Sequence, residues 1–172
     1  EPNFSGYQAL EGDRAWYTDL PEIAGYLEHS WVQSPCFDFS GIKKPMISMD
    51  IMRSFVPERD GAVLQYLVDR QDGWQTVGDI ASGIEWYNSA NITNEPGGSQ
   101  TGWSLEVFNP DQKWVSVAHD LDRLAQAPNG MLRIVLGSNG QGINGNQGFA
   151  FNNVAISQRT KMAVIEHFTN SA

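Results

Sequence analysis

Gly148-Phe149-Ala150-Phe151-Asn152-Asn153-Val154-Ala155-Ile156 decides how this chain is read. A glycine opens it, aromatic and aliphatic residues recur along it, and no charge interrupts it, which is the signature of a strand with a buried face. Alternation of side chains puts Phe149 and Phe151 on one face. The Asn152-Asn153 pair breaks the alternation and predicts a bulge or a metal contact at that point. Trp31-Val-Gln-Ser-Pro-Cys-Phe-Asp-Phe39 reads as a second strand, with Pro35 assigning it to an edge or a bulge. Ala62–Val68, following Asp60-Gly61, reads as a third.

The same reading extends along the chain. Met46–Arg53 alternates apolar and polar residues. Asp72-Gly73 is a hairpin signal between Ala62–Val68 and a return strand at Trp74–Val77. Trp103–Phe108 and Trp114–Val117 flank a turn at Asn109-Pro-Asp111. His119–Ala127 has a weak helical pattern too short for a stable helix, so a crossover turn is expected there. Met131–Leu136 reads as a central strand, and 137–148 as a Gly/Asn loop. Residues 1–30 read as irregular, broken by Gly6, Gly12, Pro21 and Gly25. Short strands at this spacing, with no strand–helix rhythm, predict an all-β chain folded as a two-sheet jelly-roll β-sandwich. The expected domain spans 1–157, followed by a linker at 158–172.

Composition narrows the function. The 172 residues carry 11 basic and 20 acidic side chains, a net charge of −9. That field disfavours nucleic acid and anionic membrane as partners, and no apolar run is long enough to span a bilayer. Low charge content with abundant Gly, Asn, Ser and aromatics suits an extracellular, strand-rich module, expected to be a monomer in isolation. A single cysteine, Cys36, makes an intrachain disulfide impossible and reads as a small buried hydrophobe. His29, His119 and His167 lie in dissimilar contexts without zinc spacing, and no nucleophile elbow or phosphate loop is present. Glu58 and Asp60 read as solvated loop carboxylates. The chain is therefore expected not to be an enzyme. Asn3-Phe-Ser and Asn91-Ile-Thr match the glycosylation pattern at chance frequency.

The ordered set Ser30-Trp-Val-Gln-Ser-Pro-Cys-Phe-Asp-Phe-Ser-Gly41, Pro45-Met-Ile-Ser-Met-Asp50, Asp60-Gly-Ala-Val-Leu-Gln-Tyr66, Gly73-Trp74, Trp86-Tyr-Asn88, Gly102-Trp-Ser104 and Gly148-Phe-Ala-Phe-Asn-Asn-Val154 resembles one recurring module. It is similar to the jelly-roll domains of large surface and secreted proteins of Bacteroidota, related in pattern to MAM and cleaved-adhesin domains. The resemblance covers about residues 30–157. It implies adhesion, or binding of a glycan or a cell-surface protein. It also implies a structural calcium, for which Asp60, Asn152 and Asn153 are candidates, with Glu11 or Asp13 as N-terminal partners. Where such modules carry an acidic pair after the aromatic, this chain has two amides, which bring oxygens but no charge. Arg159-Thr-Lys-Met-Ala-Val-Ile-Glu-His-Phe-Thr-Asn170 is similar to the first strand of a thioredoxin-like domain, so the chain reads as part of a larger multidomain protein. A spacer supporting that neighbour is the alternative function.

Trp31, Trp74 and Trp114 fall in strand patterns and are expected in the core. Trp16-Tyr17 and Trp86-Tyr87 lie outside clear strands. They are the candidate ligand-binding residues, since an exposed ring stacks on the apolar face of a sugar. The competing reading is that these rings plug the ends of the sandwich.

Overall fold

The computed structural model describes residues 15–17, 28–104, 114–139 and 148–159. Among these residues eight strands carry the fold: β1 Trp16–Tyr17, β2 Glu28–Gln33, β3 Pro45–Ser54, β4 Gly61–Leu67, β5 Gln75–Thr76, β6 Val115–Asp120, β7 Met131–Ser138 and β8 Gly148–Gln158. Among the described residues the only helical elements are 3-10 turns at Pro96–Gly98 and Asp122–Leu124. None is long and apolar enough to cross a membrane.

The topology is that of one long hairpin whose tip is the β4–β5 turn. Its arms pair antiparallel, β4 with β5, β3 with β6, β2 with β7 and β1 with β8. The hairpin is wrapped so that β3 also meets β8, and β4 also meets β7. The result is two four-stranded antiparallel sheets, β1-β8-β3-β6 and β2-β7-β4-β5. This is a jelly-roll sandwich, as the sequence predicts.

Alternation fixes what lies between the sheets. Ile47, Met49 and Ile51 of β3, Ala62 and Leu64 of β4, Leu132 and Leu136 of β7, and Phe149 and Phe151 of β8 are all buried. Phe149 stacks on Phe55 at 6.1 Å and on Trp103 at 5.8 Å between ring centroids. The outer face of the second sheet is covered as well. Gly61 and Gly137 are register partners across β4–β7. A Cβ on Gly61 would lie 2.7 Å from the Ile92 side chain, and one on Gly137 2.5 Å from the Asn94 carbonyl. The segment around 92–96 therefore reaches the sheet only because both positions are glycine.

The break at the asparagine pair is a bulge. From Ser48 to Asp50 on β3, β8 advances from Ala155 to Asn152, one residue more. Asn153 takes the extra place at φ 50°, a left-handed conformation that Asn tolerates. Its amide donates to Asp50 Oδ2 at 2.8 Å. The Ser116 hydroxyl, then Asn153, hold the Asp50 carboxyl below its ordinary range.

Several element limits differ from the sequence reading. β2 starts at Glu28 and ends at Gln33; Ser34 N–H still donates to the Leu132 carbonyl, but Leu132 N–H turns to the Ser34 hydroxyl, which ends the backbone ladder just before Pro35. Cys36 consequently lies off the sheet and is exposed, not buried. Trp16–Tyr17 forms a short strand inside a stretch read as irregular. His119–Asp120 ends β6, so the expected crossover shrinks to the 3-10 turn Asp122–Leu124. Trp103 makes an isolated bridge to Ala62. The remainder of the strand expected at 103–108, most of the 137–148 loop, and the tail from 160 lie outside the described residues.

Two measurements check this packing. Phe149→Ala should lower unfolding free energy by about 3–5 kcal/mol in denaturant titration, whereas Val154→Ala, at a position 50% exposed, should cost less than about 1 kcal/mol. At the bulge, Asn153→Gly should stay within about 0.5 kcal/mol of the parent, and Asn153→Val should lose about 1–2 kcal/mol, because a branched side chain resists the left-handed conformation.

Candidate functional site

The sandwich is sealed on one flank and open on the other. On the sealed flank, the segment after β5 folds back against both sheets. Ile84 bridges Ala118 of β6, and Trp103 bridges Ala62 of β4. Trp86 and Tyr87, two of the four aromatic residues expected to bind ligand, lie here at 4% and 3% exposure. Their rings pack with Trp103 at 4.8 Å each. Trp86 Nε1 donates to the Val77 carbonyl at 2.9 Å. The Tyr87 hydroxyl donates to Leu64 O at 3.1 Å and accepts from Leu64 N at 3.0 Å. Burial pushes the phenol pKa far up, so it keeps its proton. No ring face is left for a ligand, so these residues are corrected to a core plug.

His119 lies beside this plug, its ring 4.9 Å from Trp86, with Nε2 2.9 Å from Ser82 Oγ and Nδ1 2.7 Å from the Asp120 carbonyl. A hydroxyl beside an imidazole suggests a nucleophile and its base. Ser82 has one proton, however, and the Asp79 carbonyl at 2.5 Å competes with the imidazole for it, while Asp79 N–H donates to Ser82 Oγ at 2.8 Å. The wiring is that of a turn brace.

The open flank runs between edge strand β2 and the β1–β8 edge of the other sheet. Trp16 pairs with Phe151 and Tyr17 with Ala150. Among the described residues β1 covers two residues of β8, and further down the two sheets stand apart. A groove of about 560 Å³ opens there, reaching core side chains Ile47, Met49 and Leu64 between walls of Val32, Phe37 and Val154. A smaller hollow of about 210 Å³ continues it past Trp16 and Tyr17 toward Ser30 and Trp31. Trp16 is 62% exposed and stacks on Phe151 at 6.5 Å. Tyr17 is also exposed. Of the four aromatic candidates, these two stand at an accessible surface.

The sequence reading missed a third ring on this flank. Trp31, expected in the core, is 59% exposed. It pairs with Val135 on the edge of the second sheet, and its ring faces the Arg133 guanidinium at 5.8 Å. Trp74, also expected in the core, is only half-buried and takes the same guanidinium at 4.3 Å. Trp114 is likewise only partly buried. The available signal was the neighbouring residue. Val32 is paired with inward-pointing Ile134, so alternation sends Trp31 to the outer face.

The calcium candidates do not form one shell. Asp60 is buried, and its Oδ1 accepts from Asn94 Nδ2 at 2.8 Å and Asn139 N at 3.2 Å. Asn152 and Asn153 sit in the other sheet, opposite Asp50, and Asn153 points an N–H rather than an oxygen at its neighbour. Glu11 and Asp13 lie outside the described residues. Among the described residues no group of three acidic, histidine or cysteine side chains has the arrangement of a metal site. Asp60 and Asn153 are committed to hydrogen bonds within the fold, whereas Asn152 Oδ1 is buried without a partner; among the described residues one unpaired amide oxygen is far short of the six to eight oxygens that calcium takes.

No protein-family model matches the chain, and no curated protein matches its sequence.

Tyr87→Phe tests the plug. It leaves the buried Leu64 N–H without its acceptor and should cost about 1–3 kcal/mol in thermal or chemical unfolding, with the strand content of the circular dichroism spectrum unchanged.

Proposed function

We propose that this chain is a non-catalytic extracellular binding module of a larger protein, and that it recognises glycan along the aromatic edge formed by Trp16, Tyr17 and Trp31. The observation carrying this reading is the division of the rings. Trp86, Tyr87, Trp103, Phe149 and Phe151 are packed inside, while Trp16, Tyr17 and Trp31 stand exposed on the neighbouring edge strands β1 and β2. Leaving large rings in water forgoes their burial energy, roughly 1.5–3 kcal/mol for a side chain of this kind. A sugar recovers it by laying its C–H face on the ring. The groove beside them adds a concave, mostly apolar surface with a few polar groups at its rim, among them Gln33, Ser34 and Asp38. Jelly rolls serve as lectin domains elsewhere, which is support by analogy of fold alone. The spacer alternative draws on the thioredoxin-like tail, which lies almost wholly outside the described residues.

A glycan array on the chain, followed by tryptophan-fluorescence titration of the best ligand, tests the proposal. Binding should weaken about tenfold or more in Trp16→Ala and in Trp31→Ala, each equivalent to about 1.4 kcal/mol, with melting temperature little changed. An array without any retained glycan, or binding unaffected by both substitutions, overturns it.

A further inference from the structure

Arg133 stands out among the cations of this acidic chain. It lies on the outer face of the second sheet, third along β7, directly paired with Gln65 of β4. Its Nε and Nη2 both donate to Gln65 Oε1, at 2.9 and 2.7 Å. The Gln65 amide is itself fixed, because Nε2 donates to the Gly97 carbonyl at 2.9 Å and the side chain is buried. That second bond decides which way the amide points, and so turns its oxygen toward the guanidinium. Trp74 and Trp31 hold the guanidinium from their ring faces. Its plane and direction are thus set before any ligand arrives.

What it lacks is a counter-ion. No carboxylate among the described residues lies within ion-pair distance of Arg133, although the chain has 20 acidic residues. A guanidinium has five N–H donors. Gln65 takes one from Nε and one from Nη2, which leaves both of Nη1 and the second of Nη2. Those form the end-on fork that matches the two oxygens of a carboxylate. Partial burial lowers the pKa of the group. The chain's net charge of −9 repels anions at long range, but screening confines that field to about 8–10 Å at ordinary ionic strength. A fixed fork acts at contact.

We infer that Arg133, clamped between Trp31 and Trp74 and oriented by Gln65, is a carboxylate subsite for an acidic sugar. The class follows from what surrounds the fork. A lone carboxylate, as on an acidic peptide, needs the guanidinium only. An acidic pyranose brings a carboxylate together with an apolar ring face, and Trp31, with most of its surface in solvent, supplies the stacking partner. This inference rests on the glycan reading above and narrows its ligand to uronates or sialates.

The test compares each acidic glycan with its own neutral form, the methyl ester, on an array and in fluorescence titration. The acid should bind about tenfold more tightly than the ester, with the difference shrinking as salt rises. Arg133→Met should abolish the difference while the ester still binds. Arg133→Lys, which keeps charge but not the fork, should retain only part of it. In the unmodified protein, the Arg133 Nε–H resonance should shift on addition of oligogalacturonate, a readout that does not depend on any variant folding. Equal affinity for acid and ester overturns the subsite and leaves the glycan reading standing. Equal binding of hexaglutamate and oligogalacturonate overturns the assignment to a sugar. An array on which nothing binds overturns both readings together.

Discussion

The Tyr87 hydroxyl is the contact on which the sealed flank depends. Along the outer edge of β4, β5 pairs only with Gln65 and Tyr66, and Trp103 pairs only with Ala62. Leu64 falls between, its N–H and C=O buried beneath the folded-back segment. A phenol both accepts and donates, and here it does both to one residue. It stands in for a strand that the fold does not supply at this position, above all for the Leu64 N–H, whose burial unpaired would cost about twice the net gain of an ordinary hydrogen bond. Val77 N–H adds a second donor to the Leu64 carbonyl at 2.9 Å. With the edge satisfied, Trp86 and Trp103 can pack over it, and Gly83 allows the close return past β6, where a Cβ would lie 2.4 Å from the Ala118 carbonyl.

The opposite flank has no such device among the described residues. β1 supplies two residue pairs to β8, and β2 borders its sheet with β7 on one side only. The same strand order that closes the hairpin tip at β4–β5 leaves its ends, β1 and β2, side by side at the mouth of the sandwich. An apolar groove at that mouth is therefore a product of topology. Its chemical character comes from the residues the sequence placed there, rings and aliphatic side chains with few charges. Edge strands that expose apolar groups risk pairing with other chains. Pro35 two residues after β2 and the polar Gln33 and Glu28 at its ends limit that risk.

The architecture was legible because its signals are local. Period-two alternation in Met46–Arg53, the Asp-Gly turn before β5, and the bounded run at Phe149 each report backbone geometry within a few residues. The Asn152-Asn153 break could be read as a bulge for the same reason. The site was harder, since exposure belongs to the assembled sheets. Trp86-Tyr87 and Trp16-Tyr17 are the same kind of dipeptide in similar-looking surroundings. One is buried because the chain after it returns to bridge β4 at Trp103, and the other is exposed because its strand is the last of its sheet among the described residues. Nothing within ten residues of either distinguishes them. Arg133 was invisible for a related reason. Its partners Gln65, Trp74 and Trp31 come from three other stretches of chain and meet only when β2, β7, β4 and β5 lie in that order. Trp31 itself was assigned to the core because a tryptophan in a strand usually is, whereas on an edge strand alternation decides.

That alternation gives β2 two jobs. Val32 faces the groove with Ile134, and Trp31 faces outward toward Arg133. The strand is held to β7 by six residue pairs along its backbone, and the side-chain clamp adds little, since an exposed cation–π contact contributes about 0.5–1 kcal/mol. The clamp is therefore better understood as fixing direction than as supplying stability. Gln65 and Trp74 restrict the guanidinium, the guanidinium restricts Trp31, and the ring and fork share one orientation on the sheet. Groups ordered in advance spare a ligand the entropy of ordering them, about 0.5–1.5 kcal/mol per flexible side chain. In a shallow, solvent-exposed site, where each contact is weak, that saving is comparable to a contact itself. For the acidic-sugar subsite proposed above, this is the physical advantage of the rigid face of β2 and β7 over the loops at the ends of the sandwich.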